Sequence, residues 1–434
     1  MNYLIIGAGP AGVTAAEELR NLDADAQITL LSHELETPYA RMAIPYLIKK
    51  QIEESGLSIR ISPTHYADKN IELITASVES IDINKQQVNL TEGDALAYDK
   101  LLIATGGTPL TPPIPGIDLP GVYPCWTLEN ARNIKAAAVE GAKVVLIGAG
   151  FISTTIVEAL VKCGAQLTIV EMEDRLIPRM MDSKGGQIIR DWCEGKGVAI
   201  LTSAPARAIT QAADGKLSVS FAEHDAIEAI EAIEADLIIS ATGVAPNISF
   251  LKDSGLDTDL GVLVDEHLMS SDPNVYAAGD VAQAPDLLSD ERTVMAIQPV
   301  ATEHGRLAAL NMANHDSNSA AQAWPGSINM NVLDMLGLVS CSFGLWDGGE
   351  HAGELGVDRA ELHQPEQSKY IQLQFLDDRL IGASSVGFTN HVGVFQGLIQ
   401  GQVALGEWKQ RLIDDPSLVM EAWVATAQGI KSDG

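Results

Sequence analysis

Apolar residues at the start of the chain come in short unbroken runs. Residues 3–6 and 28–31 are two such runs, and between them a glycine-rich turn at residues 7–12 precedes a helical pattern at residues 13–20. Short apolar runs bounded by turns are typical of parallel strands that are covered on both faces. The order strand, helix, strand therefore predicts a βαβ unit at the N-terminus.

The same pattern recurs in the second third of the chain. An apolar run at residues 143–147 is followed by a second glycine-rich turn at residues 148–153 and a helical pattern at residues 154–163. The next apolar run, residues 167–170, ends at Glu171. Two copies of one βαβ unit predict two dinucleotide-binding domains of the Rossmann type.

Three segments outside these units lack a regular pattern. Residues 108–124 hold six prolines, which favours a rigid connection over a strand or helix interior. Residues 223–236 contain the run AIEAIEAIEA, which we interpret as an acidic surface excursion before a strand at residues 237–239; a lone charged helix is the alternative. Residues 311–323 are small and polar, and they predict a linker into a last domain.

The chain changes character from residue 326 onward, where the glycine turns stop. Residues 370–375 have a strand pattern and residues 394–399 a helical one. This region predicts a mixed α+β domain of about 110 residues, an ordinary domain size.

The first glycine turn carries a dinucleotide fingerprint. Gly7 permits the tight turn, Gly9 lets the backbone approach a pyrophosphate, and Gly12 allows close packing of helix and strand. The pyrophosphate is then expected at the helix N-terminus, where free N–H groups favour anions. A ribose-binding acid is expected near the end of the second strand; Glu34 is the candidate, and a solvated surface acid is the other interpretation.

The second glycine turn, with Gly148 and Gly150, has Ser153 at the third glycine position. Glu171 lies where a carboxylate accepts hydrogen bonds from a ribose 2′-hydroxyl and repels a 2′-phosphate, which favours NADH over NADPH. Nearby Arg175 and Arg179 weaken that inference, because arginines hold 2′-phosphates in other sites.

Two strand ends repeat the sequence Ala-Thr-Gly, at residues 104–106 and 241–243, each some way after its own glycine turn. They are interpreted as matching halves of the two nucleotide domains. A further strand end carries Gly279-Asp280. Its aspartate suits a flavin ribityl hydroxyl, and a helix cap is the structural alternative.

The formal net charge is −30, which makes nucleic-acid binding and docking on an anionic membrane improbable. High solubility and attraction of a basic partner both remain open. Four cysteines without a CxxC pair fit a reducing cytoplasm. No secretory signal is visible and no apolar run reaches the roughly 20 residues of a membrane span. The histidines show no metal-ligand spacing, so no metal site is predicted.

Taken together, these motifs resemble the two-dinucleotide flavoproteins of the pyridine nucleotide-disulfide oxidoreductase superfamily. Within it the chain is most similar to the branch of NADH-dependent rubredoxin and ferredoxin reductases and the flavin module of NADH-dependent nitrite reductase. The likeness also rests on residues 38–46, 305–312 and 326–329.

The resemblance implies a glutathione-reductase-type α/β fold with three domains. FAD is expected to be held by residues 1–112 and 245–325, NADH by residues 113–244, and residues 326–434 are expected to form an α+β interface domain. Arg41 is implied near the flavin, and Lys49 or Lys50 is implied to supply positive charge there. Arg41 and Lys49 are the catalytic candidates. The full set of expected cofactor-binding residues is Gly7, Gly9, Pro10, Ala11, Gly12, Glu34, Arg41, Ala104, Thr105, Gly106, Gly148, Gly150, Phe151, Ile152, Glu171, Thr242, Gly243, Gly279 and Asp280.

Two departures from the family pattern bear on the reaction. Residues 1–124 hold no cysteine, and Met42 stands where relatives carry a reactive one. Methionine forms no thiolate, so electrons are expected to pass directly from flavin to rubredoxin, ferredoxin or a small-molecule acceptor. Thr155 stands where many relatives have a glutamate beside the nicotinamide, which puts the details of that pocket in doubt.

Two other functions remain open: an NADH-oxidising subunit of a larger dehydrogenase or nitrite-reductase-like complex, and a flavin-binding sensor with impaired turnover. A homodimer is a further possibility. His304 is expected as a cap or on the surface, with a position facing the flavin as the alternative, and His391 is a candidate for contact with flavin or acceptor. Cys163, Cys193 and the tryptophans at 126, 324 and 346 are expected to be packing residues.

Overall fold

The computed structural model describes residues 1–222, 232–289, 291–314, 321–349, 357–390 and 392–429. Its contacts divide the chain into two compact units. Unit 1 comprises Met1–Ala43, Ile52–Thr108 and Val244–Ser327, and unit 2 comprises Ile44–Gln51, Pro109–Gly243 and Ile328–Gly434.

The strands in chain order are β1 (Asn2–Ile6), β2 (Gln27–Ser32), β3 (Ile71–Thr75), β4 (Val78–Asp82), β5 (Gln87–Leu90), β6 (Leu96–Ala97), β7 (Lys100–Ile103), β8 (Gly107–Pro109), β9 (Val122–Pro124), β10 (Lys143–Ile147), β11 (Gln166–Val170), β12 (Ala199–Leu201), β13 (Ala206–Gln211), β14 (Leu217–Phe221), β15 (Ala232–Ala235), β16 (Leu237–Ser240), β17 (Val244–Pro246), β18 (Val262–Leu263), β19 (Val275–Ala277), β20 (Ala282–Pro285), β21 (Arg292–Val294), β22 (Met330–Met335), β23 (Leu338–Gly344), β24 (Val357–Gln364), β25 (Lys369–Leu376) and β26 (Arg379–Val386). The α-helices are α1 (Pro10–Leu22), α2 (Ile44–Ile48), α3 (His65–Asp68), α4 (Leu128–Ala137), α5 (Phe151–Lys162), α6 (Ser183–Glu194), α7 (Gln298–Asn314), α8 (Val392–Gln400), α9 (Glu407–Asp414) and α10 (Val419–Gly429).

Unit 1 is built on a five-stranded parallel sheet in the order β19-β7-β1-β2-β3. Its central strands are almost wholly apolar and buried, and helices α1 and α7 pack closely against each other. Two small three-stranded sheets, β4-β5-β6 and β18-β20-β21, complete the unit. The non-sequential strand order brings the ends of β1, β7 and β19 together at one edge of the sheet.

Unit 2 contains a second five-stranded parallel sheet, in the order β12-β11-β10-β16-β9, and a three-stranded antiparallel sheet, β13-β14-β15. Its C-terminal part is a five-stranded antiparallel sheet, β22-β23-β26-β25-β24, accompanied by α8, α9 and α10. The predicted fold class, two parallel nucleotide-binding sheets plus an α+β region, is confirmed. The assignment of three functional domains remains a prediction.

The segment Ile44–Gln51 groups with unit 2 although the chain on both sides of it belongs to unit 1. Helix α2 in this segment packs against α4 and α5. Ile44, Leu47 and Ile48 are buried, and the Cys163 thiol donates to the Ile48 carbonyl at 3.6 Å. Apolar burial therefore attaches this segment to the second nucleotide-binding sheet's helices.

Three sequence-based predictions of local structure need correction. The proline-rich window ends in β9, a strand at the edge of its sheet, where a missing N–H is tolerated. The end of the AIEAIEAIEA run is β15, whose Ala235 is buried; residues 223–231 lie outside the described residues. The predicted linker from Asn311 starts too early, because α7 continues to Asn314 and Asn311 is buried.

Candidate functional site

The first glycine turn follows β1 directly and opens α1. Gly7 has a φ of +109°, and a Cβ there would lie 2.2 Å from the Ala104 carbonyl oxygen. A Cβ on Gly12 would lie 1.9 Å from the Gly7 carbonyl oxygen, so both positions require glycine. A Cβ on Gly9 would meet nothing within 4 Å.

The open face at Gly9 suits a diphosphate. Helix α1 has no side-chain N-cap and begins with Pro10, which has no N–H, followed by Ala11. The remaining first-turn N–H groups are therefore available to an anion. The pyrophosphate of FAD fits this turn on geometry as well as on sequence.

The strand ends next to this turn carry the other predicted FAD residues. The Ala278 amide donates to the Ile103 carbonyl at 3.0 Å, which places Gly279-Asp280 beside Ala104. The Thr105 hydroxyl donates to the Asn247 carbonyl at 2.9 Å, and Gly106 has a φ of +65°. Ligands of open α/β sheets bind at such carboxyl ends of strands.

Three charged side chains, Glu34, Arg41 and Asp280, lie near these strand ends. Glu34 accepts a hydrogen bond from Arg41 at 2.5 Å and one from the Tyr39 hydroxyl at 2.6 Å. Burial raises the pKa of the Asp280 carboxyl, and the Arg41 guanidinium nearby opposes part of that rise. Both Glu34 oxygens therefore already have partners within the protein, and the Arg41 charge acts on the Asp280 carboxyl as well.

The second glycine turn repeats the backbone of the first. Gly148 has a φ of +94°, and a Cβ on it would lie 2.6 Å from the Ala241 carbonyl oxygen. A Cβ on Gly150 would meet nothing within 4 Å, and α5 has no side-chain N-cap. This turn, with Phe151 and Ile152 in the first turn of α5, also fits a dinucleotide diphosphate.

Ser153 and Thr155, the two departures from the family pattern, are both satisfied locally. The Ser153 side chain is buried, and its hydroxyl donates to the Gly150 carbonyl at 2.8 Å. The Thr155 hydroxyl donates to the Ile152 carbonyl at 2.6 Å. Neither substitution leaves an unpaired buried polar group, so the turn keeps its shape without the third glycine.

Glu171 is buried at the end of β11 with 6% of its surface exposed. Its carboxylate accepts the Ala149 amide at 2.5 Å and the Glu173 amide at 2.9 Å. Glu171 therefore ties the strand end to the glycine turn, while two lone pairs on the carboxylate stay available to a ribose hydroxyl.

Thr242 and Gly243 follow β16 at the same edge. The Thr242 hydroxyl donates to the Leu110 carbonyl at 3.3 Å, and Gly243 accepts the Leu110 amide at 2.9 Å with a φ of +126°. Residues 241–243 thus fix the start of the proline-rich connection beside the second turn.

The two arginines after Glu171 have different surroundings. Arg175 donates to the Met181 and Pro178 carbonyls and pairs with Asp174 at 2.6 Å. Arg179 is exposed, and its guanidinium bonds to no other residue of the described chain. Arg175 is therefore committed to its own loop, which removes part of the argument for a 2′-phosphate.

Lys49 forms an ion pair with Glu158 of α5. Glu158 also pairs with Lys162 at 2.7 Å, and these two lysines hold the pKa of the Glu158 carboxyl below its usual value. Sequence reasoning missed Glu158. The signal was present, because it lies one helical turn after Thr155 on the same face.

The expected cap or surface position of His304 is wrong. This residue lies inside α7 and is only 1% exposed, and neither ring nitrogen has a hydrogen-bond partner among the described residues. Its ring packs edge-on against Trp324 at 4.5 Å, and burial lowers its pKa to about 4. The length of α7 explains the error, since the helix begins six residues before His304. His391 lies outside the described residues.

Among the described residues no group of three potential ligands could hold a metal ion, and no helix is long and apolar enough to cross a membrane. Three cysteines, Cys125, Cys193 and Cys341, are buried. Cys163 is partly buried at the end of α5.

Comparison with known proteins agrees with this geometry. A family model described as pyridine nucleotide-disulphide oxidoreductase matches residues 1–305. The NADH-dependent phenylglyoxylate dehydrogenase subunit epsilon of Aromatoleum evansii is 30% identical over 422 residues, covering 96% of each chain. The rubredoxin-NAD(+) reductase of Pseudomonas putida is 32% identical over 289 residues, covering 66% of this chain and 73% of that protein.

A solved NAD-dependent persulfide reductase from A. fulgidus has a TM-score of 0.83 and 28% identity, covering 94% of this chain and 78% of that one. Two glycine turns on two parallel sheets and these relatives make the protein an oxidoreductase that uses FAD and NADH. The chain therefore belongs to the pyridine nucleotide-disulphide oxidoreductase family.

Proposed function

We propose that this oxidoreductase takes hydride from NADH and passes electrons from FAD to a separate carrier protein, with no sulfur relay between flavin and acceptor. Residues 1–124 contain no cysteine, and Met42 is the residue at the position where the family resemblance implies a reactive one. Three of the four cysteines are buried, and the thiol of the partly buried Cys163 donates to the Ile48 carbonyl. This placement of the cysteines is the observation that carries the proposal.

The buried thiols are poor nucleophiles. Burial raises the pKa of Cys125 and of Cys193 to about 12, and that of Cys341 to about 11. A thiol attacks a disulfide or persulfide only as a thiolate. These three side chains therefore stay protonated at neutral pH and support direct transfer from the flavin.

The proposed FAD site lies in unit 1. The N–H groups that follow Gly9 bind the pyrophosphate, and Asp280 accepts a hydrogen bond from the ribityl chain. Arg41 is held by Glu34 and places positive charge near Asp280. Bound FAD supplies the redox chemistry, accepting a hydride and releasing electrons singly or in pairs.

The proposed NADH site lies in unit 2. The amides after Gly150 bind the pyrophosphate and Glu171 accepts a ribose hydroxyl. Its negative charge disfavours the 2′-phosphate of NADPH. Because Arg175 is engaged with its own loop, NADH is the proposed donor and NADPH the weaker one.

A rubredoxin or ferredoxin is the proposed acceptor, since one relative is named a rubredoxin-NAD(+) reductase. The second candidate is an NADH-oxidising subunit of a larger dehydrogenase. It is favoured by the match to the phenylglyoxylate dehydrogenase subunit, which spans 96% of both chains.

Anaerobic titration with NADH tests the proposal. A flavin without a redox-active disulfide takes up two electrons, so about one equivalent of NADH per FAD should reduce the protein fully. Uptake of about two equivalents would reveal a sulfur relay and contradict the proposal.

Transfer to carriers separates the two candidate functions. Rapid flavin reduction followed by reduction of an added rubredoxin or ferredoxin supports the free reductase. Rapid reduction with no transfer to either carrier supports the subunit role, and a protein that stays colourless with FAD contradicts both.

A further inference from the structure

A cavity of about 440 Å³ lies within unit 2, and none of the residues that line it is among those proposed to bind either cofactor. Three arginines line it, Arg175 and Arg179 from the loop after β11 and Arg359 from β24. Its size is within the range of small-molecule sites. In a chain of net charge −30, arginines from two separate segments at one cavity call for an explanation.

The donors of these arginines are only partly used. All four hydrogen bonds of Arg359 to other described residues come from Nη2, which leaves Nη1 and Nε with unused N–H groups. Arg179 makes no hydrogen bond or ion pair within the described chain. A guanidinium presents its N–H groups in one plane, which matches two oxygens of an anion.

Two carboxylates also line the cavity, but both are engaged. Asp182 accepts hydrogen bonds from the Tyr370 hydroxyl at 2.6 Å, from Arg359 at 2.8 Å and from the Gly185 amide at 3.0 Å. Asp347 accepts the Gly349 amide at 3.0 Å. Asp182 and Glu361 together fix the Arg359 guanidinium without exhausting its donors, which leaves N–H groups on Nη1 and Nε for an anion.

The other side of the cavity, formed by Trp346 and Pro178, is suited to the apolar part of a ligand. The Trp346 ring and Pro178 give apolar surface, while the buried Gln372 amide donates to the Trp346 carbonyl at 3.1 Å and fixes that residue's backbone. An anion with an attached apolar or ring portion would use both sides of the cavity.

We propose that this arginine cavity, lined by Arg175, Arg179, Arg359, Trp346 and Pro178, binds a phosphomonoester. A phosphomonoester carries nearly two negative charges and three acceptor oxygens, which suit the free donors of Arg179 and Arg359, whereas a carboxylate offers one charge and two oxygens. Arg175, whose nitrogens bond within its own loop, contributes its charge. None of its lining residues is proposed to bind NADH, and the proposal does not depend on the proposed function.

Calorimetry on the full FAD-loaded protein, with NAD+ saturating, tests the site with phenyl phosphate as the probe. Phenyl phosphate should bind with a dissociation constant below about 1 mM, and phenylacetate of similar size at least tenfold more weakly. Arg179→Ala should weaken phenyl phosphate binding about tenfold, since a charge-assisted hydrogen bond is lost. The dissociation constant of Arg179→Lys for phenyl phosphate should lie between those of the unchanged protein and of Arg179→Ala.

Arg207→Ala is the matched control, because Arg207 is an exposed arginine on β13 of the same unit. It should bind phenyl phosphate as the unchanged protein does. Trp346→Leu should weaken phenyl phosphate but leave inorganic phosphate unchanged. Equal losses in the Arg179 and Arg207 variants, preference for phenylacetate, or displacement of phenyl phosphate by NAD+ would each overturn the proposal.

Discussion

The two glycine turns have the same backbone, but different chemistry holds each of them. At the first turn, Gly12 is required because a Cβ would lie 1.9 Å from the Gly7 carbonyl oxygen. At the second, the equivalent residue is Ser153, buried and hydrogen-bonded to the Gly150 carbonyl. The third position therefore excludes a side chain at the first turn and accepts one at the second, which agrees with a role of the third glycine in packing.

Helices α1 and α5, which follow the two turns, are also held by different kinds of contact. Helix α1 is backed by α7 through a glycine contact, where a Cβ on Gly305 would lie 2.3 Å from the Ala11 carbonyl oxygen. Helix α5 is instead held by the ion pair of Glu158 with Lys49 and by α2. One turn rests on close backbone packing, the other on side-chain contacts.

Gly12→Ser should have the largest effect, because it places at the first turn the residue that the second turn tolerates. The added atoms collide with backbone, and overpacking costs about 1–3 kcal/mol or more. We expect loss of bound FAD, measured as the ratio of flavin absorbance to protein. Ser153→Gly is the control and should keep full FAD content; equal behaviour of the two variants would contradict the comparison.

Glu171→Gln should weaken NADH binding next most strongly. The amide keeps one acceptor but turns an N–H₂ group toward a backbone N–H, and it loses the negative charge at the ribose. We expect KM for NADH to rise about tenfold, and the preference for NADH over NADPH to shrink. Glu173→Gln, on an exposed neighbour, should change neither, and loss of FAD from the Glu171 variant would sink the assignment to NADH.

His304, in the helix α7 that packs against α1, should make the stability of the protein depend on pH. Its pKa is lowered to about 4, so the folded protein binds the proton less well than the unfolded chain does. Stability should therefore fall as the pH drops from about 6.5 toward 4, by about 2 kcal/mol at pH 5.

Urea unfolding between pH 8 and pH 5 measures this effect. His304→Leu should remove that part of the slope, while the exposed His33→Gln should retain it. An unchanged slope in the Leu variant would show that other groups cause the pH dependence.

Glu158→Gln tests the side-chain support of α5 and should have the smallest effect. Lys49 is 11% exposed and would lose its charged partner, at a cost of about 1–2 kcal/mol. Because the pKa of Glu158 is lowered, its contribution is present at neutral pH and is lost as the carboxyl is protonated in acid. Lys162→Gln, at a 52% exposed partner, should cost less than about 1 kcal/mol. Similar costs for both would contradict the role of Lys49.

The sequence was sufficient to predict features that depend on local backbone rules. Both βαβ units, the strands before the Ala-Thr-Gly segments and the α+β region follow from short apolar runs and from glycines with positive φ. Gly7 and Gly148 could be assigned to turns because few other residues adopt that conformation.

Other features could not be predicted, because they depend on contacts between distant residues. The pairing of Lys49 with Glu158 joins positions 109 residues apart, and the burial of His304 depends on Trp324. Periodicity also gave no sign that β15 would pair with β14, since alternating alanine, isoleucine and glutamate suits a strand or a helix.

The placement of Ile44–Gln51 in unit 2 has a practical consequence for anyone wishing to express the second nucleotide-binding half alone. A fragment that runs from residue 113 to residue 244 would lack this eight-residue segment, which is encoded earlier in the chain. The isolated fragment would then expose the faces of α4 and α5 that α2 covers, and Glu158 would lose one of its lysines. We expect the exposed apolar faces to make the fragment poorly soluble. Adding residues 44–51 to the fragment through a flexible linker should restore solubility.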